Sequence, residues 1–329
     1  LKLSYSDQEV IHFGLIPRAH RSIFVLNELP DLQPRIQVSL FSILEEKEIQ
    51  IRGFKVRLPL DIQFIFTSNP EDYTNRGTIV TPLKDRIGSQ ILTHYPESIE
   101  IAKKITEQES KLDSKVISKI HIPEIARDII EQISFEARES DLVDKKSGVS
   151  ARMSITSLQN LVSSAERRMI INNEKKTSIR MSDFNSVVSS INGKVELVYE
   201  GEEEGAEQVS YNLISDAVKS LFNKYFPKIE KLSKPGEETP YDSLLEWFTQ
   251  KQLVIGDSLN DNEYEKLLLE IIDARTIIDK YVKDLDDNDR FFFIEFILWG
   301  LESFNKLSIL RTNNGIEFKD PFNNFINKI

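Results

Sequence analysis

Ser22-Ile23-Phe24-Val25-Leu26-Asn27-Glu28-Leu29 is a run of β-branched and aromatic residues that ends in two polar side chains. It reads as a fully buried strand of an α/β sheet, with Asn27 and Glu28 delivered to its carboxyl end. Ligands of open α/β sheets collect at the carboxyl ends of the strands, so Glu28 is a candidate for acid–base chemistry. The same pair also fits a plain strand end that opens the turn Leu29-Pro30-Asp31. The neighbouring sequence has to decide between the two.

Upstream, Gly14-Leu15-Ile16-Pro17-Arg18 reads as a loop leading into this strand. Downstream, Pro34 suits a first helical turn, and Ile36, Leu40, Ile43 and Leu44 recur at helical spacing through Glu46. The stretch from Ile49 to Leu58 then alternates, switching phase at Gly53-Phe54. That pattern predicts a two-stranded hairpin, with Ile49, Ile51, Val56 and Leu58 on one face and Gln50, Arg52, Lys55 and Arg57 on the other. The charged face fits either a solvated surface or a loop projecting toward a partner.

A second apolar strand, Ile62–Thr67, ends in Ser68-Asn69-Pro70, and the Asn69 carboxamide can both donate to and accept from a water molecule. A polar stretch containing Arg76 follows, then Pro82-Leu83-Lys84-Asp85-Arg86-Ile87-Gly88, and Gln90–His94 is expected to form a third short strand.

This ordered set resembles the second half of an AAA+ ATPase core, and within it the magnesium chelatase I-subunit and MoxR-like branch. Asn27-Glu28 stands where Walker B has Asp-Glu. The stretch Gly14-Leu15-Ile16-Pro17-Arg18-Ala19-His20-Arg21, the triplet Asn69-Pro70-Glu71 and the stretch Asp85-Arg86-Ile87-Gly88 match the branch's lead-in, N-P-E and D-R-F-G motifs. The resemblance spans residues 14 to 191. It implies ATP and Mg2+ as cofactors, with Glu28 as the general base for the attacking water and Asn69 as sensor 1. Arg86 would be an arginine finger reaching a neighbouring subunit's nucleotide, with Arg76 a rival for that contact. Arg152, in Gly148-Val149-Ser150-Ala151-Arg152, would be sensor 2, with Ser150 as helix N-cap. An ion pair is the ordinary alternative for each arginine.

Two features depart from the family pattern. Asn27 replaces the Walker B aspartate, so the magnesium would be held by Asn27 and Glu28 with one negative charge fewer, unless Asp31 compensates. The sequence also contains no G-x-x-x-x-G-K-[ST]. Without those backbone amides and that lysine, this chain alone is not expected to hold ATP tightly or to hydrolyse it. The phosphate-binding half is then expected upstream of Leu1.

Composition narrows the classes further. Of the 329 residues, 29% are charged, and the net charge of -11 argues against a broad nucleic-acid surface. There is no cysteine, which removes disulfides and thiolate metal sites, and the four histidines have no i+3 or i+4 pairing, which argues against a zinc site. Phe291–Leu301 is too short to span a bilayer and holds Glu295. A replicative helicase is disfavoured by the acidic balance, and a sigma-54 activator by the absence of a G-A-F-T-G-A loop and of a DNA-binding helix pair.

The second half reads as helical. Segments 97–109, 123–139, 151–171 and 181–191 are amphipathic and suit the family's helical lid. Arg167 and Arg168 read as solvated positions. Residues 200–207, with five glutamates and two glycines, read as a flexible acidic linker. Helices are expected over 209–225, 241–252, 263–283 and 288–310, with Phe291–Trp299 apolar nearly all round and therefore buried.

The expected architecture is an α/β partial AAA+ core over 1–95, an all-α lid over 96–195, the linker over 196–208 and an all-α C-terminal domain over 209–329. The implied function is ATP-driven remodelling of, or metal-insertion chaperoning for, a partner protein. The resemblance points to a cytoplasmic homo-oligomeric, hexameric ring whose partner carries a von Willebrand factor A domain. A non-hydrolysing, nucleotide-dependent scaffold is the alternative.

Overall fold

The computed structural model describes residues 13–50, 57–69, 78–229, 239–312 and 315–321. The chain divides into two compact units, Leu1–His94 and Tyr95–Ile329.

In the first unit, strand β1 (Ser22–Leu26) pairs in parallel with β4 (Ile62–Phe66), in the register Ser22↔Ile62 to Leu26↔Phe66. Helix α1 (Pro34–Glu46) and the antiparallel pair β2 (Glu48–Gln50) and β3 (Arg57–Pro59) make the crossover. Pro34 opens α1, where its missing N–H costs nothing. Leu40 and Ile43 of α1 pack with Leu29, Leu60 and Leu83 into a small core, against which Leu26, Ile62, Phe64 and Phe66 of the sheet lie. Gln37 is fully buried, and its carboxamide is satisfied three times: Nε2 donates to the Leu32 carbonyl at 2.9 Å and the Thr78 carbonyl at 3.1 Å, and Oε1 accepts the Val80 N–H at 2.9 Å. That side chain fastens α1 to the irregular segment 78–80, which leads toward Arg86. The hairpin tip, with Arg52, Gly53 and Lys55, lies outside the described residues.

Two expectations for this unit are corrected. The central strand is covered on one face only, with Ile23 and Val25 62% and 52% exposed. Among the described residues its sheet has two strands, and α1 packs on one side of it. Residues 90–94 do not form a third strand: no ladder includes them, and Ile91 and Leu92 are 89% and 75% exposed. An extended apolar segment becomes a strand only when it joins a ladder of backbone hydrogen bonds, and no ladder among the described residues includes this one.

In the second unit the helices are α2 (Ile99–Glu109), α3 (Glu124–Glu139), α4 (Arg152–Ile171), α5 (Ala206–Tyr225), α6 (Asp242–Gln250), α7 (Asp261–Leu269), α8 (Ile272–Tyr281) and α9 (Arg290–Ser303), with shorter turns between them. Strands β5 (Ile120–His121) and β6 (Thr177–Ser178) form a short parallel pair. The expected helix over 181–191 is a 3-10 segment, Met181–Val187, followed by a helical turn, Val188–Asn192. The expected helix over 263–283 breaks at Ile271, whose ψ of 74° lies outside the helical region.

The lid and the C-terminal region are not separate domains. One apolar core runs from Ile120 to Phe318, taking in both. The segment 196–208 is not a flexible linker either. Asp144 N–H donates to the Glu196 carbonyl at 2.9 Å and Val198 N–H to the Leu142 carbonyl at 3.1 Å, after which Tyr199–Glu204 is helical. Gly201 is buried there, and a Cβ at this position would stand 2.5 Å from the Leu142 carbonyl oxygen. The glycine serves close packing rather than flexibility.

The C-terminal region is also not all-α. β7 (Leu253–Gly256), β8 (Ser308–Thr312) and β9 (Gly315–Lys319) form an antiparallel sheet in the order β7-β9-β8, so the expected helix over 288–310 ends at Ser303. Helix α9 is buried almost all round, as its sequence predicts. Phe293 and Phe296 join Phe222, Tyr225 and Phe226 of the α5 region in an aromatic cluster with centroid spacings of 5.0 to 6.4 Å.

A buried polar network crosses this core. Arg168 is buried rather than solvated, paired with Asp183 and donating to the Ser178 carbonyl at 2.7 Å. Asp183 Oδ2 accepts the Arg180 N–H at 2.8 Å, and Arg180 Nη2 donates to Asp261 Oδ1 at 2.7 Å. The Arg180 guanidinium lies 4.0 Å from the centroid of the Tyr264 ring, and the Tyr264 hydroxyl donates to Glu295 Oε2 at 2.7 Å. Burial makes each of these pairings obligatory, because an isolated charge here would be far costlier than in water.

Candidate functional site

The parallel register makes β1 and β4 end side by side, so Asn27-Glu28 and Thr67-Ser68-Asn69 leave the sheet at the same edge. The ladder continues past the strands: Thr67 N–H donates to the Leu26 carbonyl at 3.0 Å, and Leu29 N–H to the Thr67 carbonyl at 2.9 Å. Between them Glu28 adopts a left-handed conformation, φ 52° and ψ 57°. That region is sparsely occupied by residues other than glycine and costs on the order of 1 kcal/mol or more. Thr67 answers that cost. Its Oγ1 accepts the Glu28 N–H at 3.1 Å and donates to Asn27 Oδ1 at 3.3 Å. Buried Leu29 and Pro30 hold the turn from below, and Asp31 N–H donates to the Glu28 carbonyl at 3.0 Å.

Asn27, Glu28, Thr67 and Asn69 are all exposed at this edge. A carboxylate, a carboxamide oxygen and a second carboxamide therefore share one open sheet end, which can orient a water molecule or accept part of a cation's shell. Magnesium sites typically take one or two carboxylates and complete the octahedron with water and substrate phosphates, a pattern that Glu28 and Asn27 fit as a partial set. Among the described residues no group of three or more His, Asp or Glu side chains converges as a self-sufficient metal site.

Arg86 is tied inside its own unit. Its Nε lies 2.6 Å from Glu45 Oε2 of α1, Nη1 donates to the Pro82 carbonyl at 2.8 Å, and the guanidinium sits 5.3 Å from the centre of the Phe41 ring. In this arrangement it is the ion pair that the sequence leaves open as the ordinary alternative. Arg76 lies outside the described residues. Arg152 belongs to the second unit, as the exposed first residue of α4. Ser150 Oγ accepts the Arg152 N–H at 3.2 Å, so it serves the helix start, although the residue that directly precedes the helix is Ala151.

The part of Thr67 in this turn is marked in the sequence only by a hydroxyl at the end of an apolar strand, two positions before Asn69.

With this geometry in hand, comparison with known proteins is informative for the first unit. Residues 2–89 match the family described as the Sigma-54 interaction domain, a domain of AAA+ type. The first unit is thus AAA+ ATPase-like, and the matched stretch covers the strand pair and the motifs around it. The description is that of the class disfavoured by the missing G-A-F-T-G-A loop. Among solved structures, a protein of Cytophaga hutchinsonii described as a "putative ATPase" is 21% identical, over 58% of this chain and 64% of that one, with a TM-score of 0.24. The chain therefore spans just under two thirds of that relative's length. No curated protein matches.

Proposed function

We propose that this chain is the water-activating and lid-bearing part of an AAA+ ATPase that couples ATP binding and hydrolysis to remodelling of a partner protein. The observation that carries the reading is the shared carboxyl end of β1 and β4, where Glu28 and Asn69 lie just past the ends of adjacent strands and the Glu28 main chain is held by Thr67. Glu28 would take the proton of the attacking water, and Asn69 would orient that water against the γ-phosphate. Bound ATP would supply the phosphoryl group and Mg2+ the positive charge that neutralises its phosphates, with Asn27 and Glu28 offering part of the cation's oxygen shell. Arg86 would act as the finger in a homo-oligomeric ring once its contact with Glu45 opens. Arg152 would report the nucleotide to the lid.

Within the AAA+ proteins we favour the magnesium chelatase and MoxR-like branch, on the lead-in Gly14–Arg21, Asn69-Pro70-Glu71 and Asp85–Gly88. A cytoplasmic, hexameric ring working on a partner with a von Willebrand factor A domain goes with that assignment. A second reading, an activator that contacts sigma-54, is favoured by the family match over residues 2–89. Direct binding to sigma-54 factor separates the two.

The test is steady-state ATP hydrolysis by the native protein, its intact mass recorded, beside the variant Glu28→Gln. Loss of a general base lowers turnover by about 10²–10⁴-fold while ATP binding persists. Undiminished hydrolysis in the variant removes Glu28 from the role. A wild-type protein that binds ATP without turnover supports the non-hydrolysing scaffold instead.

A further inference from the structure

We propose that Thr67 is the positioning residue for Glu28, an inference that rests on the ATPase reading above. Glu28 sits in the left-handed region, φ 52°, which a non-glycine residue keeps only where its surroundings over-determine it. Three hydrogen bonds do so here: Glu28 N–H to Thr67 Oγ1, Leu29 N–H to the Thr67 carbonyl, and Asp31 N–H to the Glu28 carbonyl. Two of them end on Thr67, and only one uses its side chain. The hydroxyl works in both directions, accepting from Glu28 and donating to Asn27 Oδ1. It therefore aligns the two residues at the Walker B position through one atom.

The exchange of aspartate for asparagine at position 27 gives this contact a second consequence. The Asn27 carboxamide oxygen accepts the hydrogen bond from the Thr67 hydroxyl, which sets which end of the amide faces which way at the end of the sheet. Thr67 thereby fixes both the direction in which the Glu28 carboxylate leaves the turn and the oxygen that Asn27 presents. It touches neither the attacking water nor the nucleotide in this scheme, and it acts through its neighbours.

The experiment compares Thr67→Val, which keeps the shape and removes the hydroxyl, with Thr67→Ser, which keeps the hydroxyl. Amide hydrogen exchange read by NMR on this chain reports the contact directly. In Thr67→Val the Glu28 amide should exchange about tenfold faster, while the Leu29 amide, bonded to the Thr67 main chain, keeps its protection; Thr67→Ser should restore both. In the native protein Thr67→Val should lower kcat by about a hundredfold with ATP affinity unchanged, and Thr67→Ser should recover most of it.

Unchanged exchange at Glu28 in Thr67→Val overturns the positioning role, whatever turnover does. Faster exchange with unaltered kcat also overturns it, provided that Glu28→Gln abolishes hydrolysis in the same assay. If Glu28→Gln leaves hydrolysis intact, the ATPase role of Glu28 fails, and the catalytic part of this inference fails with it.

Discussion

Glu295 lies on the apolar helix α9, fully buried, and its charge is the most exposed to a simple test. Its Oε2 accepts the Tyr264 hydroxyl at 2.7 Å, while Oε1 has no hydrogen-bond partner. Burial pushes its pKa up to about 7 from the usual 4.5; the Tyr264 hydrogen bond is the largest opposing effect, the nearby Asp183 carboxylate adds to the rise, and Arg180 and Ser182 oppose it more weakly. Between those two values the folded protein holds a proton that the unfolded chain has released. The stabilisation from this group is therefore complete below about pH 4.5 and is lost as pH rises through about 7. The gap of about 2.5 pH units, 7 less 4.5, amounts to roughly 3 kcal/mol at 1.36 kcal/mol per unit.

Glu295→Gln keeps the shape and an acceptor for Tyr264 but cannot ionise. Urea unfolding followed by tryptophan fluorescence, with buried Trp299 one turn along the same helix, gives the midpoint at each pH from 5.5 to about 8.5. The difference between variant and wild type should grow in the variant's favour by roughly 2 kcal/mol across that window. Parallel profiles for the two proteins would refute the assignment of a displaced proton to Glu295.

Two further outcomes follow from packing. Gly300→Ala adds a methyl whose carbon would stand 2.1 Å from Phe222 Cδ2, so it should destabilise by about 1–3 kcal/mol despite alanine's better helix propensity, measured by the same urea titration. Gly201→Ala meets the Leu142 carbonyl oxygen at 2.5 Å, and it should loosen the segment that the composition marks as a linker. Limited proteolysis should then cut the variant between residues 196 and 208 under conditions that leave the wild type intact there; equal resistance would show that the segment is not held by that contact.

Local pattern made much of the first unit legible. The alternation and apolar runs of β1 and β4, the Pro34-initiated helix α1 and the β2–β3 pairing all depend on near neighbours in sequence, and so does the placement of Asn27, Glu28 and Asn69 at strand ends. Helix α9 was equally legible, because a helix that is apolar on all sides has only one stable environment. The AAA+ resemblance drew on the same local motifs, and those motifs lie in the stretch that the family comparison matched.

The rest depended on partners distant in sequence. Strand β7 pairs with β9 across roughly sixty residues, a contact that no window of helical or strand periodicity contains. Arg168 looks solvated by type, and only the arrival of Asp183 and the Ser178 carbonyl makes its burial affordable. Gly201 looks flexible by composition and is rigid because Leu142 stands against it. Glu28 is visible in the sequence as a carboxylate at a strand end, but its left-handed backbone and its dependence on Thr67 arise from the parallel register of two strands some forty residues apart. Sequence alone thus determined which chemical groups the chain carries and which short elements they end. Tertiary structure decided which groups are desolvated, paired or strained, because desolvation and hydrogen bonding are set by what stands across a contact.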